Sequence, residues 1–127
     1  MKTVNVLTRK MGDFNVFQRT SDGYFDANSL LKQWNDNPEN TRRRLDDFMN
    51  SSRTKEFVSA LSEDESHRRK IDIGDNQLVI KVKGKTTKHG KTPDKVWMHP
   101  LLFIKFAMWI NPRFEVQVLR FVHDQLI

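Results

Sequence analysis

Hydrophobic and polar positions along the chain follow two different periods, and the switches between them divide it into elements. Near the start, Thr3-Val4-Asn5-Val6-Leu7-Thr8 and Phe14-Asn15-Val16-Phe17-Gln18 are β-branched or aromatic and partly alternate, with Met11-Gly12-Asp13 as a turn. They predict a hairpin. A turn at Ser21-Asp22-Gly23 leads into Tyr24-Phe25, and Asp26 is placed to cap a helix through Trp34 with Leu30, Leu31 and Trp34 on its apolar edge. Asn37-Pro38 predicts a fresh start, with proline at the first position of a helix reaching about Asn50 and burying Leu45, Phe48 and Met49. Ser52 is the expected cap of a third helix, Arg53 to about Ser62, with Phe57, Val58 and Leu61 inward. Residues Glu63 to Lys70 are almost all polar and read as a solvated linker or a frayed helix end.

The period then changes from 3.6 to 2. Ile71-Asp72-Ile73 and Leu78-Val79-Ile80-Lys81-Val82-Lys83 predict strands around a Gly74-Asp75-Asn76 turn, with Leu78, Ile80 and Val82 on one face and Lys81 and Lys83 on the other. From Gly84 to Asp94 no large apolar side chain occurs, which predicts a long exposed hairpin tip before Val96-Trp97-Met98 resumes strand character. Pro100 opens an apolar helix to Ile110. Asn111-Pro112 is a stop and restart, and the last helix runs to about Gln125 with Phe114, Val118, Phe121 and Val122 inward. The sum is an α+β fold of small antiparallel strands packed with about five helices, expected to form a single domain over residues 1–127.

Composition narrows the function classes. With 127 residues, 37% of them hydrophobic, the chain can bury one modest core without staples. The absence of cysteine excludes disulfides, thiolate zinc sites and cysteine nucleophiles, and fits a reducing compartment. The longest apolar stretch, Leu101 to Ile110, contains Lys105 and is far short of the ~20 residues that cross a bilayer. A soluble, cytoplasmic, nucleoid-associated protein with no membrane partner is expected. Lys and Arg number 22 against 16 Asp and Glu, a net charge of +6 that favours polyanionic partners.

That charge is uneven. Lys81, Lys83, Lys85, Lys88, Lys91 and Lys95 share the segment between Leu78 and Trp97 with a single acid, Asp94, and His89 lies among them. One reading is a basic wing laid along a nucleic-acid groove, and the other is an edge hairpin kept from aggregating by its lysines. Edge protection needs one or two charges rather than six, so the wing is preferred. A second cluster is Arg42-Arg43-Arg44. On a helix, successive residues turn by about 100°, so these three do not share a face. Arg53, Thr54 and Lys55 occupy the first turn of the third helix, where side chains and free amides point the same way, as at a recognition helix. His67, His89, His99 and His123 lack metal-ligand spacing, no glycine-rich phosphate loop precedes a helix, and no cofactor or enzymatic activity is expected. His99 is expected to cap or pack. Trp34, Trp97 and Trp109 lie on apolar edges and are expected in the core.

Three blocks carry a resemblance. Tyr24-Phe25-Asp26-Ala27-Asn28-Ser29-Leu30-Leu31, Ser52-Arg53-Thr54-Lys55-Glu56-Phe57-Val58-Ser59-Ala60-Leu61, and Val96-Trp97-Met98-His99-Pro100 with Ala107-Met108-Trp109-Ile110-Asn111-Pro112-Arg113-Phe114 resemble, in this order, the KilA-N domain. The resemblance implies a DNA-binding module of viruses, phages and mobile elements, similar to the APSES domain. It implies a winged-helix-like fold in which a helix pair and a hairpin wing contact double-stranded DNA. Carried over by position, the first helix is Asp26 to Trp34, the recognition helix begins near Ser52 to Lys55 and the wing is Lys81 to Lys95. The stretch Asn35 to Asp47 looks longer than the family's usual link and holds the three arginines, so the DNA face is enlarged or the arginines serve another surface. Many members carry a further C-terminal domain, expected to be absent from this chain. The DNA-binding residues expected are therefore Arg42, Arg43, Arg44, Arg53, Thr54, Lys55, Lys81, Lys83, Lys85, Lys88, His89 and Lys91. The rival is an antirepressor-type module that contacts a repressor directly, and a homodimer or a phage or host regulatory partner fits either.

Overall fold

The computed structural model describes residues 5–126. An antiparallel hairpin, β1 (Val6–Met11) and β2 (Phe14–Arg19), opens the chain, and its register pairs Met11 with Phe14. The first strand thus lies later than expected, and Thr3 and Val4 fall outside the described residues. Gly12, at φ +61°, is the first residue of a two-residue loop, where a positive φ lets the turn follow the strand twist. The short β3 (Phe25–Asp26) joins β2 to β7 (Lys95–Met98), and β4 (Val79–Val82) completes a five-stranded antiparallel sheet in the order β1-β2-β3-β7-β4. A separate hairpin, β5 (Thr86–Thr87) and β6 (Gly90–Lys91), projects between β4 and β7.

Five helices accompany the sheet. Asp26 caps α1 (Ala27–Asp36), as the sequence predicts, by accepting from the Asn28 amide. The helix expected from Asn37 to Asn50 is not formed: only α2 (Leu45–Met49) is helical. Side chains compete for the backbone ahead of it. Asn35 holds both the amide and the carbonyl of Arg43, each at 2.9 Å, and the Trp34 indole donates to the Thr41 carbonyl at 2.7 Å.

The third helix, α3 (Ser52–Arg69), starts behind Ser51, so Ser52 is its first residue rather than its cap. It also runs through the segment expected to be a linker. The Ser62 and Ser66 hydroxyls bind the Ile73 backbone, Asp64 and Arg68 pair at 3.1 Å, and Lys70 ends the helix at φ +56°. Those serine bonds occupy the backbone of Ile73. It therefore joins no strand, and Asp75–Gln77 form a single 3-10 turn. The expected inward face of Leu78, Ile80 and Val82 is a correction: Leu78 is buried but ends the 3-10 turn before β4, Val79 rather than Ile80 packs on the core and shares a groove with Lys81, and Val82 is 44% exposed.

The core lies between the sheet, α1 and α4 (Pro100–Ile110), with Leu30, Leu78, Met98, Leu102, Phe106 and Ile110 almost wholly buried. Phe48 of α2 joins it edge-on to Phe106, ring centroids 5.0 Å apart. Trp34 and Trp97 are buried, and Trp109 is partly so. His99 caps α4, its Nδ1 accepting from the Leu101 amide at 3.1 Å. Asn111 caps α5 (Pro112–Gln125) as expected, accepting from the Arg113 and Phe114 amides. The inward stripe of α5 is a correction: Phe114 and Val118 are half-buried, whereas Phe121 is 65% and Val122 48% exposed. The helix packs chiefly on α4, and among the described residues no second layer covers its later turns.

Candidate nucleic-acid interface

The basic hairpin is built from its root outward. Val82 pairs with Lys95 at the end of the main sheet, and the Gly84 amide then donates to the Asp94 carboxylate at 2.7 Å. The Thr92 amide donates to the Lys85 carbonyl and the Lys85 amide to the Thr92 hydroxyl, Thr86 and Thr87 pair with Lys91 and Gly90, and Lys88-His89 form the tip. Asn28 of α1 donates to the Asp94 carbonyl at 2.9 Å and fastens the root to the body. The lone acid of this segment is therefore a structural clasp. Lys81, Lys83, Lys85, Lys88, His89 and Lys91 are all exposed. Lys95 is different: its ammonium lies 4.0 Å from the buried Asp26 carboxylate and 5.8 Å from the Trp97 ring centroid, so it turns toward the body.

The first turn of α3 divides the three residues expected to contact DNA. Thr54 is 4% exposed and turned into the protein, a correction, whereas Arg53 and Lys55 face outward beside the exposed Ser52. Lys55 shares a groove with Lys81 of β4, floored by Met49, Val58 and Val79. Arg53 lies on the other side of the helix, 3.8 Å from Glu56, in a hollow with Lys105 and Trp109. Lys105 is half-buried on α4 with its ammonium 5.0 Å from the Phe57 ring centroid. Lys105 is absent from the expected DNA contacts, and its signal in the sequence is a lone lysine inside an apolar helix.

The three arginines before α2 are not helical. In the extended backbone they alternate, so Arg42 and Arg44 are exposed while Arg43 is half-buried with its guanidinium 5.7 Å from the Trp109 ring centroid. The structure thus brings Lys55 to Lys81 and Arg53 to Lys105, and sets Arg43 apart from its two neighbours. Among the described residues, no group of three or more His, Asp or Glu lies together as a metal-binding cluster would, and no helix is long and apolar enough to cross a membrane.

The profile of the KilA-N domain matches residues 9–126. The chain belongs to the KilA-N family. A viral protein described as KilA-N domain-containing, from Acanthamoeba polyphaga mimivirus, is 26% identical over 109 residues, covering 86% of this chain. The chain spans 28% of that relative's length. No solved structure matches the chain. The KilA-N family is associated with DNA binding, and the exposed lysines of the hairpin and of α3 are the residues of this KilA-N domain whose chemistry suits that association.

Proposed function

We propose that this KilA-N domain binds duplex DNA in a winged-helix-like manner, with α1 and α3 as the helix pair and the hairpin of residues 81–95 as the wing, and that it serves as a regulatory protein of a phage or mobile element acting at cytoplasmic, nucleoid-associated DNA. The observation that carries the reading is the groove shared by Lys55 and Lys81, because it joins the tip of α3 to the root of the wing on one face. Lys83, Lys85, Lys88, His89 and Lys91, exposed along the wing, are the proposed phosphate partners beyond that groove, with the exposed Arg42 and Arg44 as further ones. Arg53 reaches from the same turn. Phosphate contacts of this kind position the duplex, and base edges are read only where a helix enters the groove.

The test is a titration of affinity against salt on duplex DNA. If four to six phosphates are neutralised, log affinity falls against log salt with a slope of about −4 to −5. A flat response, or no binding at low salt, removes the proposal. A second reading, protein contact of the antirepressor type, is favoured by one observation: Leu119, Phe121, Val122 and Leu126 on and after α5 are 48–81% exposed. Such a strip fits another apolar surface. Capture of a repressor that survives nuclease digestion, lost when Leu119 and Phe121 are replaced by serine, would favour that reading.

A further inference from the structure

We infer that the DNA track does not stop at the tip of α3 but crosses the Trp109 ridge into the cleft between the α1–α2 link and the start of α5, where Arg43 and Arg113 hold backbone phosphates. The inference rests on the duplex binding proposed above and extends its path.

The depressions adjoin. The Lys55–Lys81 groove and the Arg53–Lys105 hollow flank the first turn of α3 on its two sides. Trp109 walls that hollow and carries the Arg43 guanidinium. Arg43 in turn lines a cleft of about 570 Å³ together with Asn111 and Arg113, two residues before Glu115 at the edge of the hollow. Lys81, Lys55, Arg53, Lys105, Arg43 and Arg113 therefore follow one another through neighbouring grooves.

Neither arginine in the cleft has its charge matched by the fold. The Arg43 Nε is buried with no hydrogen-bond partner, which costs its desolvation without return, and its guanidinium has no ion-pair partner among the described residues. Arg113 sits in the first turn of α5, where the helix dipole opposes a positive charge, and it too has no ion-pair partner among the described residues. Local rules broken twice in one place mark a site held for another purpose.

The amide side chains of the cleft are already engaged. Gln33 binds the Asn15 backbone, Asn40 donates to the Trp34 carbonyl, and Asn111 caps α5. The free donors are the two guanidinium groups, and a guanidinium lying against an aromatic ring still offers its in-plane N–H pair to a phosphate. Asp13 and Glu39 also line the cleft, so its charge balances and it is no general anion trap. It gains a phosphate only when a duplex already held by the wing and α3 delivers one.

The experiment compares the parent protein with Arg113→Gln and with the double variant Arg43→Gln/Arg113→Gln, by salt titration and by phosphate-ethylation interference on the same duplex. Each lost contact should make the salt slope shallower by about 0.9 and weaken binding on the order of tenfold at 0.1 M salt. Interference should vanish at one edge of the footprint only. Arg113→Gln touches no packed ring and should leave thermal melting unchanged or slightly raised, which keeps the result free of any unfolding caused at Arg43. Unchanged slope and footprint in both variants would overturn the inference while leaving the proposed function intact. A parent protein without salt-dependent DNA binding would remove both.

Discussion

Asp26 ties the start of α1 to the central strand β7 through one carboxylate oxygen. Its Oδ1 accepts from the Asn28 amide at the start of α1 and from the Val96 amide on β7, each at 3.1 Å, in a position only 3% exposed. Asp26→Ala should cost about 2–4 kcal/mol, the loss of a cap together with a buried amide left unpaired. Asp26→Asn, which keeps an acceptor, should retain most of that stability in urea denaturation. Only the capping half of this role was legible in the sequence, since the bond to Val96 spans 70 residues. Tyr24, the sole tyrosine, offers a second check. Burial, reinforced by the charge of Asp22, pushes its phenol above the ordinary value of 10.0, and its hydroxyl donates to the Gln77 carbonyl. The unfolded chain then loses this proton first, so the contribution of Tyr24 is present below pH 10 and is lost as pH rises through the higher folded value. Absorbance titration should place its midpoint above 10; a midpoint at the ordinary value would contradict the buried contact. Asp22 behaves oppositely at acid pH. Burial opposes its ionisation, but the hydrogen bonds and charge of Arg19 with the Tyr24 amide outweigh it and hold the carboxyl below 3.8. Its contribution is present above pH 3.8 and is lost as pH falls through the lower folded value.

Elements with strong local signals appear where the sequence predicts them, and those without do not. α1, α4 and α5 carry Asp26, His99-Pro100 and Asn111-Pro112 at their starts, and each begins there. Asn37-Pro38 has the same lettering but opens only a turn, because Asn35 and Trp34 take the backbone groups a helix would have used. The wing depends on a close approach at its root. A Cβ on Gly84 would come within 1.9 Å of the Thr92 carbonyl oxygen, so Gly84→Ala should shift the hairpin. The segment beyond Gly84 buries no large apolar side chain, and global stability should change by less than about 1 kcal/mol. If two wing phosphates are lost, the salt slope should become shallower by about 2. Full DNA affinity in a variant shown by amide exchange to have a displaced hairpin would separate the wing from binding.

At the scale of the whole molecule, two kinds of contact should separate in experiment. Replacing Lys83, Lys85 and Lys88 with alanine should weaken all duplex sequences alike, whereas changing Arg53 or Lys55 should alter base preference if α3 enters the groove. Selection from random duplexes reads both; equal effects on every sequence from all five positions would leave α3 without a reading role. The α+β class, the caps of α1, α4 and α5, the exposed lysine-rich hairpin and the family itself were determined by the sequence alone, because each depends on neighbours within a few residues or on a local order of motifs. Tertiary structure decided which basic residues meet. Thr54 turns inward, Lys55 finds Lys81, and Arg43 leaves Arg42 and Arg44 for Trp109, through contacts across 26 to 66 residues that no local pattern encodes. The uncovered face of α5 has the same origin: amphipathic spacing shows that a helix has an apolar side, but only the packing of the other elements determines whether anything lies against it.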